Sequence, residues 1–115
     1  PDDTGRPVAA LPLLPAGPGL LAHYDWGGWL IWHAPDTPAF IDGRLIPYRR
    51  GDPSVLEDYV RVIEARPGWQ EVVRRRGIRW VLVRPGDPIA VRGIDLAWRT
   101  LSASRDHLLL EVSGP

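Results

Sequence analysis

Apolar and polar positions fall in short blocks along the 115 residues, and the spacing within each block points to an element. Residues 1–18, rich in Pro, Gly and Ala and without periodicity, are expected to form an extended lead-in or linker. Leu20, Leu21 and Ala22 then give a short apolar run that suits a buried strand. Asp25 follows as a candidate N-cap for a short helix over residues 26–33, which closes before Pro35. Residues 38–42 predict a second strand, with Asp42 at its carboxyl end and Gly43 permitting a sharp turn.

Helix signals after Gly51 are stronger. Asp52 can cap, Pro53 suits the first helical position, and Leu56, Tyr59, Val60 and Ile63 recur at i, i+3, i+4 and i+7. Pro67 and Gly68 interrupt this pattern. Trp69, Val72 and Val73 then place apolar groups on one side of a further helix whose polar side carries Arg74, Arg75 and Arg76, and Gly77 ends it. Residues 78–83 are almost continuously apolar, as expected of a central strand covered on both faces. A single helical turn is expected over residues 87–91. Strands at 98–103 and 108–112 follow, and their short connection makes them an antiparallel hairpin. The order strand, helix, strand, two helices, strand, hairpin describes a layered α/β sandwich, with helices on the faces of a partly parallel central sheet of about five strands. Residues 19–115 are read as one such domain.

Composition narrows the function classes. The apolar share, 44%, is enough for a core, and the absence of Cys excludes thiolate catalysis, Cys-ligated metals and disulfide stapling. Fourteen acidic residues balance fourteen basic ones, so no broad field attracts nucleic acid, and none is expected as a partner. Every basic residue is Arg, and Lys, Met and Asn are missing, which GC-rich coding explains most simply. No run reaches the roughly 18 apolar residues of a membrane helix, since residues 11–21 are broken by Pro12, Pro15, Pro18 and two glycines. A start at Pro1 suggests a piece of a longer polypeptide, with any membrane segment outside it.

The segment from Tyr24 through Asp25, Trp26, Gly27, Gly28 and Trp29 to Trp32, then Phe40-Ile41-Asp42-Gly43-Arg44, Leu56-Glu57-Asp58-Tyr59, Gly68-Trp69 and Trp80-Val81-Leu82-Val83 together carry a resemblance. They look like the soluble C-terminal domains of bacterial, actinobacterial-type multi-spanning membrane proteins of the GT-C glycosyltransferase class, which use polyprenyl-linked sugars. The resemblance covers roughly residues 19 to 112. A more distant similarity is to the catalytic subunit of oligosaccharyltransferase, whose Trp-Trp-Asp-Tyr-Gly motif helps recognise the acceptor; here the stretch reads Tyr24-Asp25-Trp26-Gly27, with the aromatic residues placed differently. The resemblance implies an extracytoplasmic domain at the cell membrane that serves as an accessory or acceptor-recognition module and has no activity alone. Its partners would be its own transmembrane region and a glycan or lipid-linked sugar.

Candidate ligand-binding residues are Asp25, Trp26, Gly27, Gly28, Asp42 and Arg44. Trp26 would stack, Asp42 would accept hydrogen bonds and Arg44 would meet an anion, with the N–H groups of the helix start alongside. Opposite this stands a packing reading, in which Trp29 and Trp32 are core, Trp26 is partly exposed, and Asp42 satisfies backbone donors or pairs with Arg44. The alternative function is accordingly a structural domain that packs on its own membrane region. No catalytic residue, metal site or cofactor is expected. His23, His33 and His107 lack ligand spacing, and no phosphate-binding glycine loop or serine nucleophile elbow occurs. The Arg74–Arg76 run reads as a solvated helix face. Beside an anionic bilayer it, or Arg49 and Arg50, would gain about 1 kcal/mol per residue.

Overall fold

A computed structural model of the chain describes residues 6–17, 19–37, 39–40 and 53–113. After a 3₁₀ helix at Val8–Leu13 come β1 (Leu20–Ala22), a 3₁₀ turn (Tyr24–Trp26) that runs into α1 (Gly27–His33), and β2 (Ala39–Phe40). Then follow α2 (Pro53–Ile63), α3 (Trp69–Arg76), β3 (Trp80–Val83), α4 (Pro88–Asp95), β4 (Arg99–Ala103) and β5 (Leu108–Glu111). The strands form one mixed sheet in the order β2-β1-β3-β5-β4. β1 runs parallel to β2 and β3, and β5 antiparallel to β3 and β4. β2 has only two residues, so four longer strands carry the α/β sheet.

Period-two alternation explains why the inner strands read as solid apolar runs. Leu21, Val81, Val83, Leu108 and Leu110 point to one face, where they join Tyr59, Val62, Trp69, Val72, Ile89 and Ala90 from α2, α3 and α4. Leu20, Ala22, Leu82 and Leu109 point to the other, where Ala10, Trp26, Trp29 and Leu30 cover them. Both faces are therefore dry, the condition that makes parallel strands uniformly hydrophobic. The last two strands pair as expected, with a bulge between Thr100 and Ser102.

Several local expectations are corrected. Within the lead-in, residues 8–13 are folded rather than extended: Ala10 is buried, the 3₁₀ helix packs on β4, and Thr37 Oγ1 donates to the carbonyl of Pro15. Asp25 does not cap α1, because Trp26 occupies the N-cap position and no side chain bonds there. Among the described side chains of α2, Asp58, Tyr59, Val62 and Ile63 are buried, while Leu56 faces solvent. The turn at 87–91 extends to a full eight-residue helix because Ile89, Ala90 and Gly93 find a face of the sheet to cover. At Gly93 the approach is so close that a Cβ would lie 2.6 Å from Trp98 Cε3 and 2.7 Å from Leu110 Cδ1.

Candidate functional site

The chain turns in opposite directions after two neighbouring parallel strands. From β1 it enters α1 on one face of the sheet, and from β3 it enters α4 on the other. Loops that diverge in this way leave a crevice at the carboxyl edge, where open α/β sheets place their ligands. In this chain the residues at that edge are His23, Asp25 and Trp26 after β1, with Arg84 and Asp87 after β3.

These side chains interlock. Arg84 Nη2 lies 2.7 Å from Asp25 Oδ2, and its guanidinium carbon lies 5.8 Å from the centre of the Trp26 ring. Trp26 is 2% exposed, whereas the Asp25 and Arg84 side chains are 52% and 48% exposed. The indole is thus a floor and the ion pair a lid. Cation–π attraction of this kind contributes about 0.5–1 kcal/mol at exposed sites. Asp87 accepts the backbone N–H of Arg84 at 3.0 Å, which fixes the turn that presents the guanidinium. His23 Nδ1 accepts the backbone N–H of Asp25 at 3.1 Å, so the neutral ring carries its proton on Nε2, 3.9 Å from Asp87 Oδ2.

Of the residues expected at a site, the fold brings Asp25 and Trp26 together, and Gly27 and Gly28 open α1. Asp42 and Arg44 lie outside the described residues, as do Arg49 and Arg50. Two assignments are reversed. Trp26, expected to be partly exposed and available for stacking, is sealed beneath Arg84; Trp32, expected in the core, is 83% exposed. Trp29 is buried as expected, with the His33 ring stacked 4.7 Å away. Helix α1 has only seven residues, and the expected ledge of its N–H groups gains no side-chain support. Arg84 and Asp87 were missed by the sequence reading. Their signal was position: Arg84 directly follows the central strand, and Asp87 ends the short turn that leads from it into Pro88.

At the same edge, the turn into β5 holds a buried histidine. His107 is 1% exposed, with Ser102 Oγ 2.7 Å from Nε2 and Ser104 Oγ 2.8 Å from Nδ1. Two serines flank the ring as in a serine–histidine dyad, but the hydrogen bonds of the Ser104 oxygen are those of a residue that holds a turn. Ser104 Oγ accepts the backbone N–H groups of Asp106 and His107, which occupies its lone pairs and directs its own proton to Nδ1. The ring therefore donates from Nε2 to Ser102, so Ser102 is not a hydroxyl that the imidazole could deprotonate. Ser104, whose proton does reach Nδ1, has its lone pairs taken by two backbone N–H groups and holds the turn. Burial holds the imidazole below its ordinary pKa, against the opposing pull of Asp106.

The arginine run is also more engaged than expected. Arg75 Nη1 and Arg76 Nε reach Asp58 Oδ2 at 3.1 and 2.8 Å, which clamps α3 to α2, and Arg74 pairs with Glu71. Burial alone would raise the Asp58 pKa, yet hydrogen bonds from Arg75 and Arg76 outweigh it and hold the carboxyl below its ordinary value. Among the described residues no group of three or more His, Cys, Asp or Glu side chains is placed to hold a metal ion. No described helix is long and apolar enough to cross a membrane. Comparison with protein-family models, with curated proteins and with solved structures finds no match.

Proposed function

We propose that this chain is an extracytoplasmic accessory domain of a bacterial membrane protein resembling the GT-C glycosyltransferases, and that it recognises an acceptor or lipid-linked sugar without performing transfer itself. One observation carries the reading: the half-exposed Asp25–Arg84 pair lies over buried Trp26, in the crevice between β1 and β3. A carboxylate and a guanidinium side by side offer an acceptor and a fork of donors, which suits hydroxyl-rich or anionic ligands. Transfer chemistry needs an acid or base aimed at a reacting atom. Here Asp87 is committed to a backbone N–H and His23 Nδ1 receives one, so these groups shape the crevice instead.

The test is titration of the isotope-labelled chain with a short-chain polyprenyl-phosphate sugar, followed through backbone amide shifts. Shifts centred on residues 23–26 and 84–87, reduced at least about tenfold in affinity by Arg84→Gln, are expected from loss of a charge-assisted hydrogen bond. A wild-type spectrum that does not move defeats the proposal.

A second reading, a structural domain that packs on its own membrane region, is favoured by one different observation. Trp32, at the last turn of α1, exposes 83% of its surface, and tryptophan is enriched at membrane–water interfaces. Trp32 fluorescence that shifts to the blue only when the membrane region is attached, with the crevice silent toward sugar lipids, would select it.

A further inference from the structure

The end of the sheet opposite this crevice carries a groove of about 610 Å³ between α3 and the chain entering β4. Its size falls within the range of small-molecule sites, roughly 300–1,000 Å³. The floor is aromatic and aliphatic. Trp69 and Trp98 meet edge to face with ring centres 5.8 Å apart, and both are buried, as are Val73 and Ile78, so the surface is firm rather than adaptable. Leu96, half exposed, forms part of the wall.

Polar character is confined to a few groups, and their charge is one-sided. Arg74 and Arg79 both line the groove, and no carboxylate does. Arg74 is partly neutralised by Glu71. Arg79 has no carboxylate partner among the described residues; its guanidinium is held 5.4 Å from the centre of the Trp80 ring. Its backbone N–H bonds the carbonyl of Gly19, which fixes the main chain from which this side chain leaves the sheet edge. A firm apolar floor with an arginine that has no carboxylate partner among the lining residues is complementary to a molecule with an apolar body and an anionic head.

We propose that this groove binds a dissolved amphipathic anion, with its carboxylate or phosphate at Arg79 and its apolar body over Trp98, Ile78 and the side of Leu96. The proposal is independent of the crevice at the other end of the sheet.

Dodecyl phosphate, kept below its micellar concentration, is the probe, and calorimetry with amide-shift mapping gives the readout. Saturable binding is expected, with shifts at Ile78, Arg79, Leu96 and Trp98. Arg79→Gln should weaken it roughly tenfold or more, and Leu96→Glu should weaken it comparably by placing like charge on the wall. Arg105→Gln, in the hairpin turn, should leave it unchanged. Dodecanol should bind at least about tenfold more weakly than dodecyl phosphate, because it lacks the charge that Arg79 meets. Equal affinity for the alcohol, or for the Arg79→Gln chain, overturns the anionic recognition. Shifts that map elsewhere overturn the location. Tight binding to phosphatidylglycerol vesicles, with none to dissolved dodecyl phosphate, overturns the dissolved ligand in favour of a membrane surface. Unaltered far-ultraviolet circular dichroism of all three variants shows that the comparison is between folded chains.

Discussion

Two single residues show how closely side chains are matched in this fold. Gly93 lies on a helix with no room for a methyl group against Trp98 and Leu110. Gly93→Ala is therefore expected to destabilise by about 1–3 kcal/mol, since a packed aromatic ring and a strand side chain must both shift; urea denaturation measures it. His107 supplies a pH-dependent contribution. Its folded-state pKa is lowered, so the unfolded chain binds the proton more readily. Stability from this residue is complete above the ordinary value of 6.5 and is lost as pH falls from there through the folded value. His107→Gln should flatten that part of the stability–pH curve, and identical slopes for the two chains would remove His107 as the cause. Neither feature was legible in the sequence. A glycine inside a helix and a histidine in a polar turn both look ordinary until the neighbours across the sheet are known.

At the scale of elements, local chemistry set the starts and stops of most helices. Pro53 and Pro88 each stand at the first position of a helix. Gly77 ends α3 with φ +69°, and the N–H of Ile78 reaches back to the carbonyl of Val73. The same closing pattern ends α2, where the N–H of Arg66 reaches the carbonyl of Arg61, but the left-handed position is held by Ala65 with φ +49°. A methyl group there is strained, so Ala65→Gly should stabilise by about 0.5–1 kcal/mol and Gly77→Ala should cost about 1 kcal/mol. Opposite signs for chemically inverse changes are the outcome that thermal denaturation should show. Partner choice between elements was less readable. The i, i+3, i+4, i+7 pattern of α2 suggested a stripe through Leu56, yet the buried face is rotated toward Asp58 because Arg75 and Arg76 from α3 draw it inward. An ion pair between helices leaves no periodic trace in either one.

The whole molecule consists of a sheet with a hydrophobic cluster on each face, and the two clusters differ in how they are covered. Helices α2, α3 and α4 cover one; α1 and the 3₁₀ helix at Val8–Leu13 cover the other. Removal of residues 1–14 should uncover the face of Leu82 and Leu109, lower the melting temperature and increase binding of an apolar dye. An unchanged melting temperature would show that the N-terminal 3₁₀ helix contributes no stability. The sequence by itself determined the α/β class, the hairpin, the central strand and most helix boundaries, because periodicity, prolines and glycines act over a few residues. Tertiary structure alone decided that Trp26 is buried and Trp32 exposed, that Asp25 meets Arg84, and that Arg79 overlooks an apolar groove. Each of these depends on which strands are neighbours and on which face a helix lands, and so on contacts between residues far apart along the chain.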